Sequence, residues 1–174
     1  NYKEALKIFQ EGLVSANFNN LMLESDFYGQ IGDINYFLNN KSEAFESYDK
    51  ALKLNPQNLP VLNNYSYYLS LEKKDLNKAE QMSGITVKLE PLNPTYLDTY
   101  GWILYEQGSY ITAKIYIEKA IEYSKEPSPE VHEHYGDVLF KTGDKEKAME
   151  HWKKSKELGG NSKELKRKIR RGKL

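Results

Sequence analysis

A small residue followed about twelve positions later by an alanine recurs along the chain, and the spacing of those alanines limits the fold more than any other feature. Gly32 precedes Ala44, Gly101 precedes Ala113 and Gly136 precedes Ala148. Ser66 precedes Ala79 by one residue more, which puts an insertion in the turn around Lys74 and Asp75. Successive alanines are 35, 34 and 35 residues apart. A period near 34 with helical patterning inside each copy marks an array of helix-turn-helix units, because one such unit cannot bury its apolar face alone and neighbours must stack.

Each copy fills out in the same way. Seven residues after the alanine comes a mostly small residue (Ala51, Thr86, Ala120, Ser155), and five further on a terminating position (Pro56, Pro91, Lys125, Gly160). Four residues after the alanine lies Tyr48, Ser83, Ile117 or Trp152. Small residues two turns apart share a helix face and let a neighbouring helix approach closely. The preceding helices carry an apolar stripe at spacings of three and four: Tyr28, Ile31, Asn35; Leu62, Tyr65, Leu69; Leu97, Tyr100, Leu104; His132, Tyr135, Leu139. That is the helical period, not the strand period. Helix pairs are predicted at about 24 to 39 with 41 to 54, 58 to 72 with 75 to 89, 94 to 107 with 110 to 124, and 128 to 142 with 145 to 158, to within about 2 to 4 residues. Asn39 with Asn40, Gly108 with Ser109 and Gly143 with Asp144 read as turns within pairs.

This skeleton resembles the tetratricopeptide repeat family, in its bacterial-type arrays, over residues 25 to 160. The third copy carries it best, with Asn93 to Trp102 opening one helix and Tyr110 to Ala120 supplying the next. Asn35, His132, Ser83 and Thr86 depart from the apolar or small residues the family favours there. The resemblance implies an all-α, right-handed alpha-alpha superhelix, a solenoid of about four repeats with a C-terminal capping helix. The division is then 1–17 as the second helix of a truncated repeat, repeats at 24–56, 58–91, 93–125 and 128–160, and a basic capping helix and tail at 161–174. Asn1 in place of Met fits a piece of a longer protein. Resemblance to bacterial arrays, many of them attached to lipoprotein signals, fits a periplasmic or envelope location as well as a cytoplasmic one.

Composition removes several kinds of chemistry. The 174 residues hold no cysteine, which excludes disulfides, thiol catalysis and Cys-ligated zinc. No apolar run approaches the ~20 residues of a membrane-spanning helix. His132 and His134 point about 200° apart on a helix and cannot chelate one ion together; His132 reads as a partly packed core residue, His134 and His151 as surface ones. With no Gly-rich phosphate loop, nucleophile elbow or metalloprotease helix motif, the sequence predicts no enzyme activity, no cofactor and no small-molecule substrate.

Charge is unevenly spread beneath its overall balance of 25 basic and 25 acidic residues. Residues 161 to 174 carry Lys163, Lys166, Arg167, Lys168, Arg170, Arg171 and Lys173 against Glu164, so the body before them is net acidic. Leu165 and Ile169 give the tail an apolar face to dock on the last repeat, capped by Asn161 or Ser162, with its basic face in solvent or, alternatively, against nucleic acid, an acidic partner or a lipid surface. The acidic body disfavours nucleic acid as a partner.

Tyr28, Tyr48, Tyr65, Tyr100, Tyr135 and Trp152 fall on core positions. The opposite face of each first helix, which in the tetratricopeptide family lines a concave groove, holds Asp33, Tyr36 and Phe37 in the first repeat; Asn63 and Tyr67 in the second; Asp98, Trp102, Tyr105 and Glu106 in the third; and Glu133, Asp137, Phe140 and Lys141 in the fourth. Family members that clamp acidic chain ends use Lys, Arg and Asn here to hold carboxylates, and with a single lysine, Lys141, on this face only Asn63 could serve such a role. The expected partner is therefore a protein or peptide, basic and apolar rather than anionic, held by aromatics and steered by acids. The alternative is a structural or assembly module that self-associates through its truncated N-terminal face or stacks on further repeats, the groove unused.

Overall fold

The computed structural model describes residues 1–15 and 20–174. Ten helices and no strand occur among the described residues: α1 (Tyr2–Ser15), α2 (Leu21–Phe37), α3 (Lys41–Leu54), α4 (Leu59–Leu71), α5 (Leu76–Leu89), α6 (Pro94–Glu106), α7 (Tyr110–Tyr123), α8 (Pro129–Lys141), α9 (Lys145–Glu157) and α10 (Lys163–Arg171). The fold is the all-α helix-turn-helix array that the period demands. Ala16 and Asn17, placed by sequence at the end of the first segment, lie outside the described residues. The second helix begins earlier than the apolar stripe suggests, because the Asn20 side chain accepts from the backbone N–H groups of Met22 and Leu23 and starts the helix at Leu21.

The helices form two compact units, residues 1–68 and 69–174, divided within α4. In the first, α1 packs on α2 and α2 on α3, around Ile31, Ile34, Ala44, Tyr48, Ala51, Val61, Leu62 and Tyr65. In the second, α5 packs on α6, α6 on α7, α7 on α8, α8 on α9 and α9 on α10; Leu104, Ala113, Ile117, Tyr135, Val138, Leu139, Trp152 and Leu165 form a continuous core. Leu165 is fully buried, so α10 covers the last apolar edge as a repeat array requires.

The periodic small residues are where the helices touch. Ala44, Ala79, Ala113, Ala148, Ala51, Thr86, Ala120 and Ser155 have no exposed surface. A methyl group added at Gly101 would lie 2.5 Å from Ile117 Cγ1 and 3.2 Å from the Ala113 carbonyl oxygen; one at Gly136 would lie 2.5 Å from Trp152 Cδ1. The glycine is thus the hole for the large residue four positions after the alanine. The inserted residue in the α4 to α5 turn is absorbed by left-handed backbone at Lys73 (φ 52°) and Asp75 (φ 43°), where the turns at Asn39, Gly108 and Gly143 use one such residue each.

Asn35 departs from the family pattern without cost to packing. Its side chain donates to the Ile31 carbonyl (3.0 Å) and accepts from Asn40 (3.2 Å), so a buried amide is satisfied by its own helix and turn. Tyr48, Tyr65, Tyr135 and Trp152 are buried, as their positions predict, whereas Tyr28 and Tyr100 are half-buried.

Candidate functional site

The residue after each helix-facing glycine decides what the site can offer. In the first repeat this is Asp33, whose carboxylate accepts from the Tyr48 hydroxyl at 2.5 Å and from Asn64 at 3.1 and 3.2 Å. In the fourth it is Asp137, which accepts from Trp152 Nε1 at 2.8 Å. Tyr48 and Trp152 are the large residues that fill the glycine holes, and their polar tips emerge beside this position. In the third repeat the hole is filled by Ile117, which has no donor, and the position holds Trp102 instead of an acid. Acid and donor-bearing aromatic therefore occur together, a correlation visible in the sequence and missed by reading the helix face alone.

Burial raises the Asp33 pKa, and the bonds from Tyr48 and Asn64 only partly offset it. Burial raises Asp137 as well, opposed first by Lys168. Lys168 belongs to the basic tail, yet it points inward: its ammonium lies 2.7 Å from Asp137 and 2.8 Å from Glu133, and the residue is only 8% exposed. Asp98, 7% exposed, accepts from His134, its two oxygens 3.1 and 3.0 Å from Nδ1. His134 is thus not the surface residue its sequence position suggested, being 6% exposed. Burial disfavours its charge, but Asp98, with Glu130 and Asp137 behind it, outweighs burial and holds its pKa above the ordinary histidine value.

The expected groove residues sort accordingly. In the second unit Asp98, Trp102, Tyr105, Glu133 and Asp137 come together with His134 and Lys168. Asp98 and Asp137 are buried and bonded internally, so their charges do not stand open to an incoming chain; Glu133 is partly exposed. Trp102 is half-buried, its ring stacked on Tyr105 (4.8 Å between centroids) and on His134 (4.1 Å). Its indole Nε1 is buried without a hydrogen-bond partner among the described residues. In the first unit Tyr36 stacks on Tyr68 at 3.8 Å, and Phe37 stacks on Tyr2 at 5.2 Å and meets Tyr68 edge-on. Tyr67 lies beside Tyr68. Asn63, the one residue matching an anion clamp, is buried and donates to Asn64. Tyr68, absent from the sequence-derived set, is the centre of this aromatic cluster.

A histidine pair also escaped sequence reading. His132 on α8 and His151 on α9 bring their Nδ1 atoms to 2.9 Å. Burial lowers both pKa values, helped by Lys154 at His132 and by His132 and Lys147 at His151, which falls to about 4.

The repeat pattern, its helix pairs and the buried alanines agree with comparisons to known proteins. A tetratricopeptide repeat profile matches residues 25–58 and 95–127. A tetratricopeptide repeat-containing protein of Methanocaldococcus jannaschii is 33% identical over 147 residues, 83% of this chain and 25% of the relative. The chain belongs to the tetratricopeptide repeat family. Its fold is matched by solved structures of the same class: the type IV pilus biogenesis factor PilW (TM-score 0.80, 18% identity, 98% of this chain and 78% of that one) and a thermophilic tetratricopeptide protein of Thermus thermophilus (TM-score 0.76, 15% identity, 98% and 90%). The chain spans about a quarter of the length of its archaeal relative. Tetratricopeptide arrays serve in general as interaction or assembly scaffolds, and the chain is of that kind.

Proposed function

We propose that this array binds a protein or peptide segment, basic and apolar rather than anionic, on the aromatic and acidic face of its first helices. The observation that carries the reading is the Trp102 and Tyr105 stack in the second unit, half-exposed and bordered by Glu133 and by the carboxylates of Glu130 and Glu164. Rigid aromatic area with a polar edge is what hot spots use, and bordering acids favour a cationic partner and set its register. The cations on this face are Lys141 and Lys168, the latter held by Asp137 and Glu133, which argues against an anionic ligand. The test is a crosslinked pull-down followed by calorimetric titration of the recovered segment. Trp102→Ala should weaken binding by about 2 kcal/mol, with melting as a control. A variant that loses its fold yet binds normally once refolded would assign Trp102 to the core alone.

A second reading, self-association or assembly, is favoured by a different observation. Tyr2, Ile8, Leu21, Met22 and Phe37 in the first unit are each more than half exposed, Tyr2 and Phe37 stacked on one another, and large apolar side chains left in water mark interaction surfaces when they group together. Light scattering over a concentration series separates the two readings, since assembly predicts a mass that rises with concentration without any added ligand.

A further inference from the structure

A cavity of about 480 Å³ opens between α8 and α10, walled by Trp102, Glu130, Glu133, His134, Ser155 and Lys168 among others. Its lining is net acidic. Glu130, Glu133, Asp137 and Glu164 stand against Lys168, while His134 is matched by Asp98 behind it. Glu130 and Glu164 are exposed at the rim. The wall also holds two buried polar atoms without partners among the described residues: the indole Nε1 of Trp102 and the hydroxyl of Ser155, a residue with no exposed surface. A buried polar atom left unpaired is destabilising, and a ligand that bonds to it removes that penalty. Gly160 packs closely here: a Cβ would lie 2.6 Å from the Ser155 hydroxyl and 2.9 Å from Leu165, so a larger residue would crowd the hydroxyl.

We propose that this cavity binds the guanidinium or ammonium group of an arginine or lysine residue together with its neighbouring carbonyl. Tyr105 and His134 stack on the Trp102 ring, and its indole N–H needs an acceptor; a carbonyl supplies one. The cationic group faces Glu130, Glu133 and Glu164, with the Ser155 hydroxyl accepting one of its N–H groups. An anion is disfavoured by the same three carboxylates. This rests on the reading of a basic partner and narrows it to one anchoring residue and one place on the chain.

The protein has two tryptophans, so its indole N–H region in a nitrogen–proton correlation spectrum holds two signals. Titration with N-acetyl-arginine amide should move the Trp102 signal saturably, while agmatine, which has the guanidinium and no carbonyl, should bind several-fold more weakly. Equal binding of the two would overturn the carbonyl contact to Trp102. Tighter binding of free arginine than of the capped amide would assign the site to a small molecule and overturn the peptide source. Glu130→Gln with Glu164→Gln, both at exposed positions, should weaken the amide about ten-fold by calorimetry with an unchanged helical spectrum. N-acetyl-glutamate amide should do nothing; an equal response to it, or no response to any compound, overturns the proposal. If a captured partner binds through Trp102 and Tyr105 while the arginine compounds fail, the cavity is excluded and the scaffold reading stands. If the arginine compounds bind and no partner is recovered, the reverse holds.

Discussion

Replacing Lys168 by Met keeps most of the aliphatic stem and removes the charge. The ammonium is held at 2.7 Å from Asp137 and 2.8 Å from Glu133. Glu133 is partly exposed and can turn to water, so its loss is small. Asp137 is 4% exposed and would keep a single bond, from Trp152 Nε1. Breaking a buried pair from one side costs about 3 to 5 kcal/mol because the remaining charge stays desolvated; the surviving Trp152 bond puts the expected loss near the lower figure, about 3 kcal/mol at pH 7. Burial already raises Asp137, and Lys168 is the largest influence opposing it. Without Lys168 the folded-state pKa climbs further above the unfolded value of about 4. A carboxyl raised on folding contributes stability that is present below the unfolded pKa and lost as pH rises through the folded one. The deficit of Lys168→Met should therefore be largest at pH 7 and shrink as pH falls toward about 4. Urea unfolding across that range measures it, and adding Asp137→Asn should restore about 1 kcal/mol or more by removing the stranded charge. A variant as stable as the parent at pH 7, or a double-mutant cycle with no coupling, would refute the reasoning.

Further outcomes follow from the same packing. Gly101→Leu should destabilise the fold by about 2 to 4 kcal/mol in thermal or urea melts, because its side chain would enter the space of Ile117 and the Ala113 carbonyl. The His132 and His151 pair, lowered on folding, should make stability fall as pH drops from the ordinary histidine value near 6.5 to about 4, since the unfolded chain takes up the protons first; unfolding of His151→Gln compared with the parent at about pH 7 and about pH 5 isolates the effect from the opposite contribution of His134. Deleting residues 162–174 should uncover Val138 and Trp152, both now fully buried, and strand Asp137; lowered solubility or dimerisation by light scattering is the expected result.

The array was legible in the sequence because its signals are local and repeated. A glycine, an alanine twelve residues on and a large residue four further on recur at one spacing, and each copy tests the others. Even the inserted residue near Lys74 could be placed, since it displaces one alanine by one position. What the helix-face reading could not supply was the direction of side chains that meet across elements distant in sequence. Lys168 looks like one of seven tail cations, and only its position against α8 turns it inward. His134 looks exposed on its own helix and is covered by Trp102, which lies one repeat earlier in the chain.

The acids on this face consequently belong to two populations with different work. Asp33 and Asp137 follow the glycine of their repeats and accept from Tyr48 and Trp152, the aromatics that fill the glycine holes. Where the filler is Ile117 no such acceptor is needed, and the third repeat can place an aromatic there. Trp102 is that half-buried aromatic, and its buried indole N–H lacks, among the described residues, the acceptor it requires. In the proposed binding mode the carboxylates that would face a partner are those at Glu130, Glu133 and Glu164, which line the same cavity as Trp102. A partner that brings both a positive charge and a carbonyl answers the acidic rim and the indole N–H at once, whereas a purely apolar segment would leave the indole N–H buried and unpaired.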